Sequence, residues 1–170
     1  STYSDSVMGF QSDPWVLIPI ALAIIIAAVG FPVYQEVRIR PFDGKHWSLH
    51  TKITVLGTAI LLVGGFAWIL AAEWNNPLTL GPMSWGDKAL NAFFHAVMPR
   101  TAGFNSLNVG DFEIETLVAN YILMFIGGGS AGTAGGIKIT TVFILIFVVW
   151  SEVRGREDTS LFGRQVPRRV

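Results

Sequence analysis

Glycine, rather than a nucleophile or an acid, is the residue whose spacing in this chain first suggests chemistry. Gly127-x-Gly129-x-x-Gly132 has the form of a dinucleotide fingerprint, and Glu152 follows Gly132 by 20 residues, where an acid would meet a ribose. A second candidate is Thr101-Ala102-Gly103-Phe104-Asn105-Ser106, directly after Pro99 and Arg100. Its glycine admits backbone angles that other residues resist. An extended turn at membrane depth presents carbonyl oxygens, which can replace the hydration shell of a cation. The third candidate is Lys138, the one charge in a long apolar stretch. It does not complete a Walker loop, because it follows Ile137 and precedes Ile139. His46, His50 and His95 are too scattered for a metal site, and no nucleophile, base and orienter occur together.

The elements that must carry these residues decide among the candidates. The 170 residues contain no cysteine, 51% hydrophobic and only 14% charged side chains, with 12 basic and 12 acidic groups. Soluble domains carry roughly 25% charge. The composition excludes a disordered tail and a disulfide-stapled module, and the balanced charge gives no sign of nucleic-acid binding. Pro14–Tyr34 is 21 residues without a charge, and Ile53–Ala72 is 20 more. Each is long enough to cross a hydrocarbon core of about 30 Å. Two such runs as core helices of a soluble protein would leave little protein to surround them. Pro19 and Pro32 are tolerated in a membrane helix whose neighbours satisfy the freed carbonyls.

Leu117–Trp150 spans 34 residues, with six glycines among residues 127–136. Glycine costs a helix about 1 kcal/mol relative to alanine. The stretch therefore reads as a helix Leu117–Ile126, an irregular loop, and a helix Ile139–Trp150. Irregular backbone inside a membrane must be buried in protein or line a cavity, so a broken span points to function. These flanks also undercut the dinucleotide reading, which needs a βαβ unit in solvent.

Three crossings place Gln35–Lys52 and Ser151–Val170 on one side, with nine basic residues, and residues 1–13 and 73–116 on the other, with two. The excess makes 35–52 and 151–170 cytoplasmic and the other two segments external. Trp15, Trp74 and Trp150 fall at span ends, as interfacial indoles do. The opening STYSDS, without methionine, suggests a piece of a longer protein.

Within the outer segment, Ser84-Trp-Gly-Asp87 has the form of a helix-start box, and KALNAFFHAVM follows. A helix Trp85–Met98 would be about 21 Å long, too short to cross. It is either a re-entrant helix or an amphipathic helix on the outer surface; the TAGFNS turn after it favours re-entry, with the helix's negative end directed at the same place. Glu73, Asp87, Asp111, Glu113 and Glu115 read first as a solvated loop, and second as an acidic mouth that concentrates cations. Arg100 reads as a hydrogen-bond donor to the end of the short helix, and His95 as a packed or hydrogen-bonded residue. Lys138 either snorkels along a cavity wall or is a mobile positive charge that repels a cation or pairs with an acid elsewhere.

NPLTLG (76–81), GDKALNAFF (86–94), PRTAGFNS (99–106), MFIGGGSAGTAGGIKITT (124–141) and RGREDTSLFGRQVP (154–167), in that order, resemble the Trk/Ktr superfamily of potassium-uptake membrane subunits. The resemblance implies an all-α membrane protein of four helix–pore helix–helix repeats around one pore. This chain would hold the end of the second repeat (1–37), a cytoplasmic loop (38–47), the third repeat (48–153) and a cytoplasmic linker (154–170). The third repeat would comprise a transmembrane helix 53–72, pore helix 85–98, filter 100–106 and broken helix 117–150. Carbonyls of Thr101, Ala102, Gly103 and Phe104 would supply one quarter of a potassium filter, with serine in place of Gly103 going with sodium transport in some relatives.

Gly127, Gly128, Gly129, Ser130, Ala131, Gly132, Thr133, Ala134, Gly135 and Gly136, with Lys138 beside them, resemble an intramembrane gate. Gly132 directly before Thr133 departs from the commoner serine-threonine-glycine form. The resemblance further implies no enzyme activity, no cofactor beyond transported potassium, the bacterial inner membrane, a homodimer, and a cytosolic nucleotide-binding regulatory subunit. A sodium or mixed-cation transporter of the same architecture is the first alternative. A Rossmann-type enzyme domain and a non-transporting membrane scaffold are more distant ones.

Overall fold

The computed structural model describes residues 6–39, 46–100, 103–129, 135–154, 160–161 and 164–165. Among them the regular elements are helices and one hairpin of two-residue strands, β1 (Ser160–Leu161) and β2 (Arg164–Gln165). The helices are α1 (Pro14–Val29), α2 (Phe31–Ile39), α3 (Leu49–Glu73), α4 (Trp85–Val97), α5 (Ile114–Phe125) and α6 (Ile139–Val153).

Local chemistry sets the helix starts. Asp13 accepts the N–H of Trp15 at 3.0 Å, with Pro14 in the first turn, where its missing donor is harmless. Ser48 accepts the N–H of Thr51 at 3.2 Å to start α3. Ser84 accepts the N–H of Asp87 at 3.3 Å and donates its hydroxyl to that carboxylate at 2.8 Å, closing the box at the head of α4. Glu36, on α2, adds a carboxylate to the α3 start: it accepts the N–H of Ser48 at 2.6 Å, the Ser48 hydroxyl at 2.7 Å and the Thr51 hydroxyl. A negative group is favourable at that end of a helix.

The first apolar run departs from the sequence expectation. Pro14–Tyr34 is not one straight helix: α1 and α2 meet at 97°. Gly30 sits between them at φ 93 and ψ 151, a conformation open to glycine alone, and Pro32 two residues later has no N–H with which to continue α1. By length and composition, α3 is able to cross a membrane alone, and the bent α1–α2 pair qualifies only if counted together.

α3 is the hub, touching every other helix of the bundle. Gly57 is what lets α6 come close: a Cβ there would lie 2.5 Å from Ile139 Cγ2 and 2.8 Å from Phe143 Cε2. Small residues at contacts are how membrane helices pack, since lipid gives no hydrophobic drive between them. Two apolar clusters enclose α4. One joins Ala92 and Ala96 to Ile69, Leu80, Leu107 and Phe112; the other joins Phe94, Val97 and Met98 to Leu17 and Ala21 of α1. α4 is thereby packed between α3 on one side and α1 on the other. Large apolar side chains such as Trp15, Val63, Tyr121 and Ile146 remain exposed around the outside, which water would penalise and lipid or further protein would cover.

Candidate functional site

The outer candidate begins where α4 delivers the chain. After Val97 a single tight turn, Met98–Arg100, carries it to the TAGFNS segment. Thr101 and Ala102 lie outside the described residues. Gly103 stands at φ 66, and a Cβ there would meet no described atom within 4 Å beyond its chain neighbours. Phe104 is 38% exposed beside it.

Past Gly103 the chain is stitched down from two directions. Asn105 donates its N–H to Ser6 Oγ at 3.0 Å, and its carbonyl accepts the N–H of Val7 at 3.2 Å. Leu107 donates its N–H to His95 Nε2 at 3.1 Å. His95 is buried on α4 and stacks edge-on against Phe112, with ring centroids 5.0 Å apart. Accepting through Nε2 requires the neutral imidazole with its proton on Nδ1. His95 is thus the hydrogen-bonded residue expected, with a specific partner.

Glu73 was not foreseen in its role. The sequence reading places it in a solvated acidic loop, yet it is fully buried at the end of α3. Its carboxylate accepts the Asn76 amide at 2.7 Å, the Thr79 hydroxyl at 2.6 Å and the N–H of Glu113 at 2.9 Å. Asn76 also donates to the carbonyl of Asp111 at 2.8 Å. One carboxylate thereby ties the α3 end, the 76–79 turn and the start of α5 together, and with them both ends of the segment carrying Gly103. The NPLTLG sequence holds the signal in hindsight, because Asn76 and Thr79 follow Glu73 at hydrogen-bonding reach. Lys88 is likewise occupied, donating to the Trp74 carbonyl at 2.9 Å with its ammonium 4.5 Å above that indole.

The inner candidate is the break between α5 and α6. Ser130, Ala131, Gly132, Thr133 and Ala134 lie outside the described residues. The two ends of the loop form a stem. Ile126 and Ile137 make a single parallel bridge. Gly127 donates to the Ile137 carbonyl at 2.9 Å, Ile137 to that of Phe125 at 3.0 Å, and Ile139 to that of Gly128 at 3.1 Å. The strands are so close that a Cβ on Gly127 would sit 1.6 Å from the Gly135 carbonyl oxygen. Gly129 leaves the stem and donates to the Ala28 carbonyl of α1 at 2.8 Å. Gly135 and Gly136 are exposed, and Lys138 is half-buried as the residue preceding α6.

This geometry also disposes of the dinucleotide reading. The fingerprint needs a strand before its first glycine, and here helix α5 runs to Phe125. A cavity of about 470 Å³ lies beside the outer candidate, lined by Gly103, Asn105 and His95 and, from α5, by Asn120 and Met124. The buried Asn120 Oδ1 has no hydrogen-bond partner among the described residues.

Comparison with known proteins gives one consistent result. A family described as the cation transport protein TrkH matches residues 1–169. A Ktr system potassium uptake protein B of Bacillus subtilis is 40% identical over 167 residues, covering 98% of this chain and 37% of that protein. A potassium/sodium uptake protein of Enterococcus hirae is 34% identical, covering 95% of this chain and 36% of its own length. The crystal structure of the potassium transporter TrkH from Vibrio parahaemolyticus superposes with a TM-score of 0.73 over 98% of this chain and 36% of that one, at 19% identity, and so shares the fold. The chain spans a little over a third of the length of these relatives.

Proposed function

The chain belongs to the TrkH family of cation transport proteins, membrane proteins rather than enzymes, and from that premise we propose that it supplies one quarter of the selectivity filter and an intramembrane gate to a longer potassium-uptake protein. In this reading the carbonyls of Thr101, Ala102, Gly103 and Phe104 face the ion path. Residues 127–136, with Lys138 beside them, form the gate.

The observation that carries the filter is the use of backbone donors past Gly103. The N–H groups of Asn105 and Leu107 are spent on Ser6 and His95. An anion site would need free N–H groups there, whereas a cation site needs carbonyls. The C-terminal end of α4, which carries partial negative charge, leads into the same turn. The charge asymmetry supports a multi-pass arrangement in the bacterial inner membrane, with 1–13 and 73–116 outside and 35–52 and 151–170 cytoplasmic. A homodimer partnered by a cytosolic nucleotide-binding regulatory subunit, embedded in membrane lipid, completes the proposal. The one-third coverage of its relatives supports the further point that this chain works together with the rest of the pore-forming protein.

Likeness to a potassium/sodium uptake protein favours a mixed-cation transporter as the second reading. One experiment separates the two. The full-length protein is expressed in bacteria lacking their own potassium uptake, and potassium uptake is measured against rising sodium. Potassium uptake resistant to a hundredfold excess of sodium supports the filter as proposed. Equal competition by sodium supports the mixed-cation reading, and absence of uptake contradicts both.

A further inference from the structure

α1 and the glycine loop meet at one point, and backbone chemistry explains why. In a continuous helix each carbonyl accepts from the N–H four residues on. The partner of the Ala28 carbonyl would be residue 32, which is proline and has no N–H. The 97° turn at Gly30 carries the chain away as well. Ala28 is buried, and an unsatisfied carbonyl away from water costs about 1–3 kcal/mol. The donor that meets it is the N–H of Gly129, at 2.8 Å.

The seat admits only glycine. A Cβ on Gly129 would fall 2.3 Å from the Val29 carbonyl oxygen and 2.8 Å from Thr54 Cγ2. This main-chain hydrogen bond leaves the α5–α6 segment and reaches α1. α2, beyond the bend, is held separately through Glu36 at the start of α3. The bend is therefore a fixed bracket, with an orphaned carbonyl aimed at the loop.

We propose that the Ala28 carbonyl, deprived of its helical partner by Pro32 and the turn at Gly30, is the dock that holds the glycine loop in place, and that Gly30 and Pro32 position the gate without touching the ion. The proposal rests on the reading of residues 127–138 as a gate. It adds that loop movement requires the Gly129–Ala28 bond to break, so the geometry of α1 and α2 sets how readily the loop moves.

The test uses the full-length protein with cysteines outside this segment replaced, since the segment itself has none. Gly135→Cys is the reporter background, because a Cβ there meets no atom within 4 Å. Its modification rate by a hydrophilic thiol reagent and the kinetics of potassium uptake are read together. In that background Gly30→Ala with Pro32→Ala removes the glycine-only bend and offers Ala28 a competing N–H, leaving the loop's own sequence unchanged. Gly129→Ala displaces the dock sterically. Pro19→Ala is the control, since it alters the partner of Trp15 at the other end of α1.

The expected result is a fivefold or greater rise in modification rate and a higher maximal uptake with unchanged KM in the first two variants, and neither in the control. Where the double variant fails to reach the membrane, Gly129→Ala carries the test. Parental modification and uptake in the docking variants, alongside altered uptake when residues 131–134 are deleted, would overturn the dock and leave the gate standing. Unaltered uptake in a well-folded deletion variant would overturn the gate itself, and the dock with it.

Discussion

The turn after α4 and the loop after α5 are both irregular backbone between helices, yet they are held in opposite ways. Side chains brace the outer turn: Glu73 and Asn76 at its base, His95 against its return, Ser6 across its tip. The described ends of the inner loop are joined by main-chain hydrogen bonds, through Gly127, Gly128, Gly129, Ile137 and Ala28. A segment fixed by buried side-chain networks has one arrangement, because leaving any buried member unpaired costs about 1–3 kcal/mol. A segment fixed by a few backbone bonds, with glycine at the contacts, can exchange them. The first suits a group that must hold carbonyls at set distances from an ion, and the second suits one that must move.

The contrast can be broken at its strongest point first. Glu73→Ala takes the acceptor from the buried Thr79 hydroxyl, from one N–H of the buried Asn76 amide and from the part-buried N–H of Glu113, at a cost on the order of 3 kcal/mol. The full-length protein in detergent should show its largest fall in melting temperature here, with Glu73→Gln falling less because one acceptor oxygen remains. An unchanged melting temperature in Glu73→Ala would remove the base of the outer brace.

His95 should come next. His95→Phe deprives the Leu107 N–H of its acceptor, at about 1–2 kcal/mol, whereas His95→Gln retains one. The expected readout is weakened potassium-over-sodium discrimination in the phenylalanine variant and partial recovery in the glutamine variant. Equal discrimination in both would make His95 a packing residue only. In the inner loop, Gly127→Ala must push the stem apart, since its Cβ would strike the Gly135 carbonyl oxygen. Uptake should rise severalfold with little change in melting temperature; a fall in melting temperature matching that of Glu73→Ala would erase the distinction between the regions.

Two glycines of α3 act on stability rather than on selectivity, and the second of them has the smallest effect. Gly57→Ala, which drives a Cβ into Ile139 and Phe143, should reduce stability by about 1–3 kcal/mol through overpacking. Gly64→Ala, with nothing within 4 Å, should raise stability by no more than about 1 kcal/mol through helix propensity and leave uptake unchanged.

What was legible in the sequence follows from the range of the interactions. The start of α4 was readable because Ser84 and Asp87 are three residues apart, and the break between α5 and α6 because six glycines stand in ten positions. The 97° bend at Gly30 was not, since proline and glycine in an apolar run allow a straight span, a kink or a turn alike. Glu73 was misread because an acid at the end of a span has the same local pattern whether it is solvated or buried, and one of its partners, Glu113, is 40 residues away. The Gly129–Ala28 bond had no side-chain signature at all. It joins two backbone groups 101 residues apart, and only the missing N–H of Pro32 marks the acceptor.

The division of labour between the two regions is tested most directly by measuring the potassium-to-sodium selectivity of uptake in Gly103→Ser and Gly129→Ala, side by side in the full-length protein. The account predicts that Gly103→Ser, which has room for its side chain but alters the turn at φ 66, lowers the ratio about tenfold or more. It predicts that Gly129→Ala changes the maximal rate and leaves the ratio intact. An unchanged ratio in Gly103→Ser, or a ratio shifted by Gly129→Ala, would contradict it.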